Sequence, residues 1–210
     1  IPQGLQTDVF GNIIQTAAPV KGAEDNEEWA SLSVEHNIHN TPHEYTAVEG
    51  DKAIKELVAE LQKHKEICFD TETTGIDANE AELVGLSFSV KPGKAWYVPC
   101  PADQSACKAL LTHFEPLFAS SDITWIGQNT KYDLLLLKWY GIEPAGNIFD
   151  AMLAHYVIEP DGKRSMDLLA EKYLGYEPVH IEELIGKKGK TQGTMRDVEI
   201  EKIKEYAGED

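Results

Sequence analysis

Ile67-Cys68-Phe69-Asp70-Thr71-Glu72-Thr73-Thr74-Gly75 is the stretch on which the reading of this chain turns. A short apolar run ends in an acid, and a second acid follows two residues later. In a strand the side chains alternate between faces, so the spacing of two points the carboxylates of Asp70 and Glu72 to the same side. Such pairs arise by chance in an acidic chain, but most belong to solvated helices, whereas this one closes an apolar strand. Two more segments of strand character, Glu82 to Val90 and Ala95 to Pro99, are separated by Lys91-Pro92-Gly93, and the three together predict an antiparallel meander.

Outward from the meander, Ala53, Ile54, Leu57, Val58 and Leu61 have amphipathic spacing and predict a helix over Asp51 to Lys65. Downstream, Ser105 to Phe118 reads as a helix, Ile123 to Ile126 as a buried strand, and Thr130 to Tyr140 as a helix ending at Gly141. Ile148-Phe149 is a brief strand, and Ala151 to Val157, Ser165 to Leu174 and Val198 onward are helices. A meander followed by alternating helices and strands predicts an α/β domain with a mixed sheet flanked by helices. Residues 1 to 47 lack either periodicity and read as a linker or extended arm without chemistry, which leaves a domain over 48 to 210. Ile1 is not a Met and Asp210 falls inside a predicted helix, so the chain reads as a fragment, truncated at its C-terminal end.

With 210 residues, 42% hydrophobic and 26% charged, the composition is that of a globular domain with a real core. No apolar run approaches the roughly 20 residues of a membrane span and no signal-peptide pattern opens the chain, so a soluble, intracellular protein is expected. Cys68, Cys100 and Cys107 form no CxxC pair and read as reduced, mostly buried thiols. His36, His39 and His43 lack a completing Cys or carboxylate and are not read as a metal site. With 36 acidic and 19 basic residues the net charge is −17, the wrong sign for gripping nucleic acid by the overall field. A polyanionic substrate would need local help, which bound Mg2+ or Mn2+ could supply.

Two further stretches carry candidate chemistry. Gly127-Gln128-Asn129-Thr130-Lys131-Tyr132-Asp133 follows the buried strand and opens a helix, with Asn129 read as its N-cap and sharing a face with Asp133. Tyr206-Ala207-Gly208-Glu209-Asp210 places a phenol and a carboxylate four apart on another helix. Gly186-Lys187-Lys188-Gly189-Lys190-Thr191 imitates a phosphate loop, but Leu184 stands where the first glycine belongs, so it reads as a flexible basic loop able to steer a nucleic-acid backbone. Met166 and Leu169 read as core.

Asp70, Glu72, Asp133 and Asp210 in this order, with Tyr206 four before the last, resemble the three motifs of the DEDD exonuclease superfamily in its tyrosine branch. With Met166-Asp167-x-Leu169-Ala170-Glu171, residues 48 to 210 are similar to the 3′→5′ proofreading exonuclease domain of the bacterial family A DNA polymerases, the DNA polymerase I family. The resemblance implies a ribonuclease H-like fold and two divalent cations, Mg2+ or Mn2+, about 4 Å apart. Asp70, Glu72 and Asp210 would bind one cation and Asp70 and Asp133 the other, while Tyr206 orients the attacking water. Such oxygen ligands suit hard cations.

The resemblance also implies substrate contacts from Gln128, Asn129 and Thr73, from Ile76 as a wedge against the terminal base, and from Lys163 or Arg164 to a phosphate. Ile181 stands where some members have phenylalanine, and it lacks the π face of an aromatic platform. The expected substrate is a single-stranded or frayed DNA 3′ end, with a polymerase domain after Asp210, room for a 5′ nuclease domain before Ile1, and a bacterial cytoplasmic location with the nucleoid. An RNA-trimming exonuclease and a non-catalytic module are the alternatives. Because the last carbonyls of a helix lack internal partners, a chain ending at Asp210 is expected to bind metal more weakly and cleave more slowly than a longer one.

Overall fold

The computed structural model describes residues 34–210, and the part of the expected arm at residues 1–33 lies outside the described residues. In chain order the elements are β1 (His36–Asn37), β2 (Glu44–Ala47), α1 (Asp51–Leu61), β3 (Glu66–Thr73), β4 (Leu83–Lys91) and β5 (Lys94–Pro99). There follow α2 (Gln104–Leu111), α3 (Glu115–Phe118), β6 (Thr124–Gly127), α4 (Lys131–Trp139), β7 (Asn147–Asp150) and α5 (Ala151–Ile158). The last are α6 (Met166–Leu174), β8 (Tyr176–Glu177), α7 (Ile181–Ile185), a 3-10 turn at Met195–Asp197, and α8 (Ile200–Glu209).

Six strands form one mixed sheet in the order β2-β5-β4-β3-β6-β7. β3, β4 and β5 are the antiparallel meander, and β6 and β7 add in parallel beside β3. Alternation along β3 explains what lies on each side: Ile67 and Phe69 enter the main core, while Cys68, Asp70 and Glu72 face the other way. The core side is dense in aromatics. Phe69 meets Trp125 edge-on with ring centroids 5.3 Å apart, and Phe118 stacks on Trp125 at 4.7 Å. Leu57, Val58 and Leu61 of α1 and Leu136 and Leu137 of α4 complete that layer.

A smaller cluster forms where Val84 and Tyr97 of the sheet meet Met195, Ile203 and Ala207, and this cluster seats α8. Arg196 ties the preceding 3-10 turn to the sheet by donating to the carbonyls of Cys100 and Leu83. Opposite Glu72 the β3–β4 register slips, so that Glu72 pairs with Gly85 but Thr73 with Leu83. Such a bulge bends the ladder locally, and pairing resumes beyond it, with Thr73 opposite Leu83 and the Thr74 N–H donating to the Glu82 carbonyl at 3.0 Å.

Three expectations need correction. Residues 34–47 are not featureless: β2 pairs with β5 as an edge of the main sheet, and β1 pairs with β8. These strands are too short for a period of two to show. Residues 105–118 are two helices, because Pro116 begins a new one: lacking an N–H, proline is tolerated in a first turn but not in a continuing helix. Asn129 is not a helical N-cap. It has a positive φ of 58°, the cap is Thr130, and the N–H groups of Asn129 and Thr130, just ahead of the helix, are bound from a distant part of the chain.

Asp150, at the end of β7, provides that binding. Its carboxylate accepts from the N–H groups of Asn129 (3.2 Å) and Thr130 (2.9 Å), from Thr130 Oγ1 (2.9 Å), and from the N–H of Leu153 (3.1 Å) in α5. It therefore caps α5 and holds the entry to α4. Loss of the α5 cap costs about 1 kcal/mol and loss of the buried hydrogen bonds to Thr130 about 1 kcal/mol more, so Asp150→Ala is expected to lower stability by about 2 kcal/mol, read as a fall in the urea midpoint with an unchanged m-value.

Candidate active site

Asp70, Glu72 and Asp210 converge: one carboxylate oxygen from each lies within 4.8 Å of the others. β3 delivers the first two on one face by its period of two, and the end of α8 delivers the third across the smaller cluster. Glu72 is buried and its Oε1 accepts no hydrogen bond. An orphaned buried carboxylate oxygen is costly unless something positive meets it. Three hard oxygen donors with no sulfur or imidazole among them fit a divalent cation.

Asp133 reaches β3 from the other side. It is 2% exposed in α4, and its Oδ1 accepts from the N–H (3.1 Å) and Oγ1 (2.5 Å) of Thr71. It lies beside the three-carboxylate group rather than within it, and its charge raises the pKa of Asp70. The close approach behind it depends on Gly127, where a Cβ would stand 2.8 Å from Thr130 Cγ2 and 3.0 Å from the carbonyl oxygen of Phe69.

Burial is the first cause of the shifts at all four acids, and repulsion from other members of the group adds to it at Asp70 and Glu72. Asp70 is raised well above the usual range by burial and then by Asp133, Glu72 and Asp210. Glu72 rises to about 8 through burial and then Asp210 and Asp133. Asp210 reaches about 7 through burial, then Glu209 and Asp167, and Asp133 about 6, its burial partly offset by the Thr71 hydrogen bonds. Tyr206, half-buried one turn before Asp210, is also pushed up by burial and then by Asp210, Glu72 and Asp70, so its hydroxyl stays protonated at neutral pH.

Asp70, Glu72, Tyr206 and Asp210, but not Asp133, line a cleft of about 620 Å³. Of the residues expected from sequence, Asp70, Glu72, Thr73, Ile76, Asn129, Ile181, Tyr206 and Asp210 all face it. Ile76 is 94% exposed, and Ile181 is exposed in the lining of the same cleft. Lys188 of the basic loop also lines it. Gln128, Lys163 and Arg164 do not: Gln128 lines an adjoining apolar slot along α5 and α6 and donates to the Arg164 carbonyl at 2.9 Å. The Arg164 guanidinium donates to the Pro160 carbonyl and lies over the Tyr156 ring, while Lys163 is exposed.

Two supporting residues escaped the sequence reading. Tyr132 braces the turn after β3: its Oη donates to the Gly75 carbonyl and lies 2.8 Å from Thr73 Oγ1. As a polar aromatic one place before Asp133 it carries no signal of that partner 57 residues away. Asp150, by contrast, ends a strand directly before a helix, a legible N-cap position.

The order, register and helical cover of the sheet, with acids at the end of its central strand, define a ribonuclease H-like nuclease fold. Solved structures agree in fold: the catalytic core of RRP6 from Trypanosoma brucei has a TM-score of 0.61 at 18% identity, covering 80% of this chain and 43% of that one. RNase D of Escherichia coli gives 0.59 at 15%, covering 79% and 41%. The family model described as 3′-5′ exonuclease matches residues 45–210, and the chain belongs to that family. It is a 3′-5′ exonuclease domain homologous to part of DNA polymerase I. It is 36% identical over 176 residues to DNA polymerase I of Pseudomonas aeruginosa, covering 80% of this chain and 19% of that protein. It is 33% identical over 183 residues to that of Borreliella burgdorferi, covering 86% and 20%. The chain thus spans about a fifth of the length of these relatives.

A carboxyl whose folded pKa exceeds its unfolded one contributes stability below the unfolded value and loses it as pH rises through the folded value. The chelator-treated protein is therefore expected to melt at a lower temperature at pH 8 than at pH 5, by about 2–4 °C for each kcal/mol lost. Glu72→Gln should flatten that slope, and Mg2+ or Mn2+ added at pH 8 should raise the Tm of the unsubstituted protein, as a ligand of the folded state does. A slope indifferent to Glu72→Gln would disprove the raised pKa of Glu72.

Proposed function

We propose that this domain hydrolyses single-stranded or frayed DNA from the 3′ end, releasing nucleoside 5′-monophosphates, as the proofreading nuclease of a bacterial DNA polymerase I. The observation that carries the reading is the convergence of Asp70, Glu72 and Asp210 with Tyr206 one turn away, all lining one cleft. Asp70, Glu72 and Asp210 would hold one Mg2+ or Mn2+, and Asp70 with Asp133 a second. When bound, such ions supply an activated water and charge neutralisation at the leaving 3′ oxygen.

The side chains account for the remaining tasks. Tyr206, kept protonated, offers Oη to orient the attacking water. Ile76 presents an exposed aliphatic face to the terminal base, and Ile181 faces the same cleft, which favours tolerant packing over base-edge readout. Thr73 and Asn129 stand within reach of the last nucleotides, and Asn129 Oδ1 is buried without a partner. Lys188 offers local positive charge in a chain of net charge −17. The relatives' length supports a covalently linked polymerase domain, which would place the protein with the nucleoid in the bacterial cytoplasm.

The test is Mn2+-dependent release of mononucleotides from a labelled single-stranded DNA, comparing the protein with Asp70→Ala/Glu72→Ala. Even outer partners of a metal site are worth 10–100-fold, so the double substitution is expected to lower release by at least about 100-fold. Retained release would reject the site. RNA and DNA oligonucleotides of matched sequence address the sugar, since the fold is shared with an exoribonuclease. A clear preference for RNA would replace the polymerase reading with RNA trimming.

A further inference from the structure

The chain ahead of α1 grips the turn that ends α8, a contact the proposed chemistry has not used. Tyr45, in β2, lays its ring against Gly208: a Cβ there would be 2.7 Å from Tyr45 Cγ and 2.8 Å from Cδ2. Gly208 lies midway between Tyr206 and Asp210. Behind Tyr45, the His43 ring packs at 4.4 Å, tilted 31°. The His43 imidazole bridges the Thr41 carbonyl (2.8 Å) and the Glu205 carboxylate (2.9 Å), and Glu205 directly precedes Tyr206. On the far flank, Glu209 accepts from Tyr176 Oη and from the N–H of Val179 (2.8 Å), and Tyr176 pairs with His36 of β1.

Residues 36–47 thus hold α8 at Glu205 and Gly208 directly, and at Glu209 through β8. The restraint falls where a helix is least able to hold itself, because its last carbonyls have no partners within the helix. Among the described residues, the buried members of α8 are Ile203 and Ala207, and beyond Ala207 the Tyr45 ring packs directly on Gly208.

We propose that Tyr45, backed by His43, is a positioning residue of the nuclease site, fixing the turn that carries Tyr206 and Asp210 against Asp70 and Glu72. The inference rests on the nuclease reading above. Tyr45 does not line the cleft, so its effect belongs to metal binding and turnover rather than to capture of the strand. The ring carries the contact and the hydroxyl does not, which makes Tyr45→Phe the conservative variant.

The experiment compares Tyr45→Ala and Tyr45→Phe with the unsubstituted protein, well below the melting temperature of each. Mn2+ affinity is read by calorimetry, amide exchange over 205–210 by mass spectrometry, and kcat and KM on single-stranded DNA. Tyr45→Ala is expected to weaken Mn2+ binding and lower kcat by about 10-fold or more, as supporting partners of metal sites do. KM should hold, exchange over 205–210 should quicken, and Tyr45→Phe should restore all three. A folded Tyr45→Ala protein with unchanged Mn2+ affinity and kcat would overturn the positioning role while leaving the nuclease reading intact. An unsubstituted protein that neither binds Mn2+ nor releases nucleotides would overturn that reading, and the positioning role with it.

Discussion

Carboxylate repulsion at the end of β3 is the constraint to which the surrounding structure answers. Asp70, Glu72, Asp133 and Asp210 are brought together out of bulk water, where burial raises the cost of ionising each and their neighbours add to it at Asp70 and Glu72. No arrangement of acids would adopt this geometry for its own sake, so the scaffold must impose it. β3 does so by alternation. The residues that bury Ile67 and Phe69 in the aromatic core leave Asp70 and Glu72 no choice of face, and the free energy that holds the pair together comes from the opposite side of the strand.

The other two acids are held by separate means. Asp133 is fixed by the Thr71 hydrogen bonds and by the Leu136 and Leu137 anchors of α4, with Asp150 capping the approach to that helix. Asp210 arrives on α8, whose buried contacts end at Ala207 and whose final turn leans on β2 and β8. The two sides of the site therefore differ in how they are supported: one is a central strand in a packed sheet, the other a helix end braced by short edge segments. A metal site assembled from such halves is most sensitive where its support is thinnest.

Much of this was legible beforehand. The meander, the buried strand at Trp125 and the helices beyond it follow from apolar periodicity, and the acids at positions 70, 72, 133 and 210 stand out as polar residues at the ends of apolar elements. What misled were residues whose conformations are imposed from a distance. Asn129 looks like an N-cap but takes a positive φ, with its own N–H and that of Thr130 held by the Asp150 carboxylate. Arg164 looks available for a phosphate but spends its guanidinium on Pro160 and Tyr156. Glu44–Ala47 looks featureless because four residues along an edge are too few for alternation to register.

By itself the sequence determined the identity and order of the acids, their placement at element ends, and the alternation that puts Asp70 and Glu72 on one face, because all of these are local properties of strand and helix geometry. Only the tertiary structure decided that Asp210 meets Asp70 and Glu72 while Asp133 stands to one side, that Lys188 reaches the cleft and Lys163 does not, and that Tyr45 rests on Gly208. Those outcomes depend on which surfaces pack together across more than a hundred residues of chain. Packing at that range is set by the complementarity of whole elements, which no local period encodes.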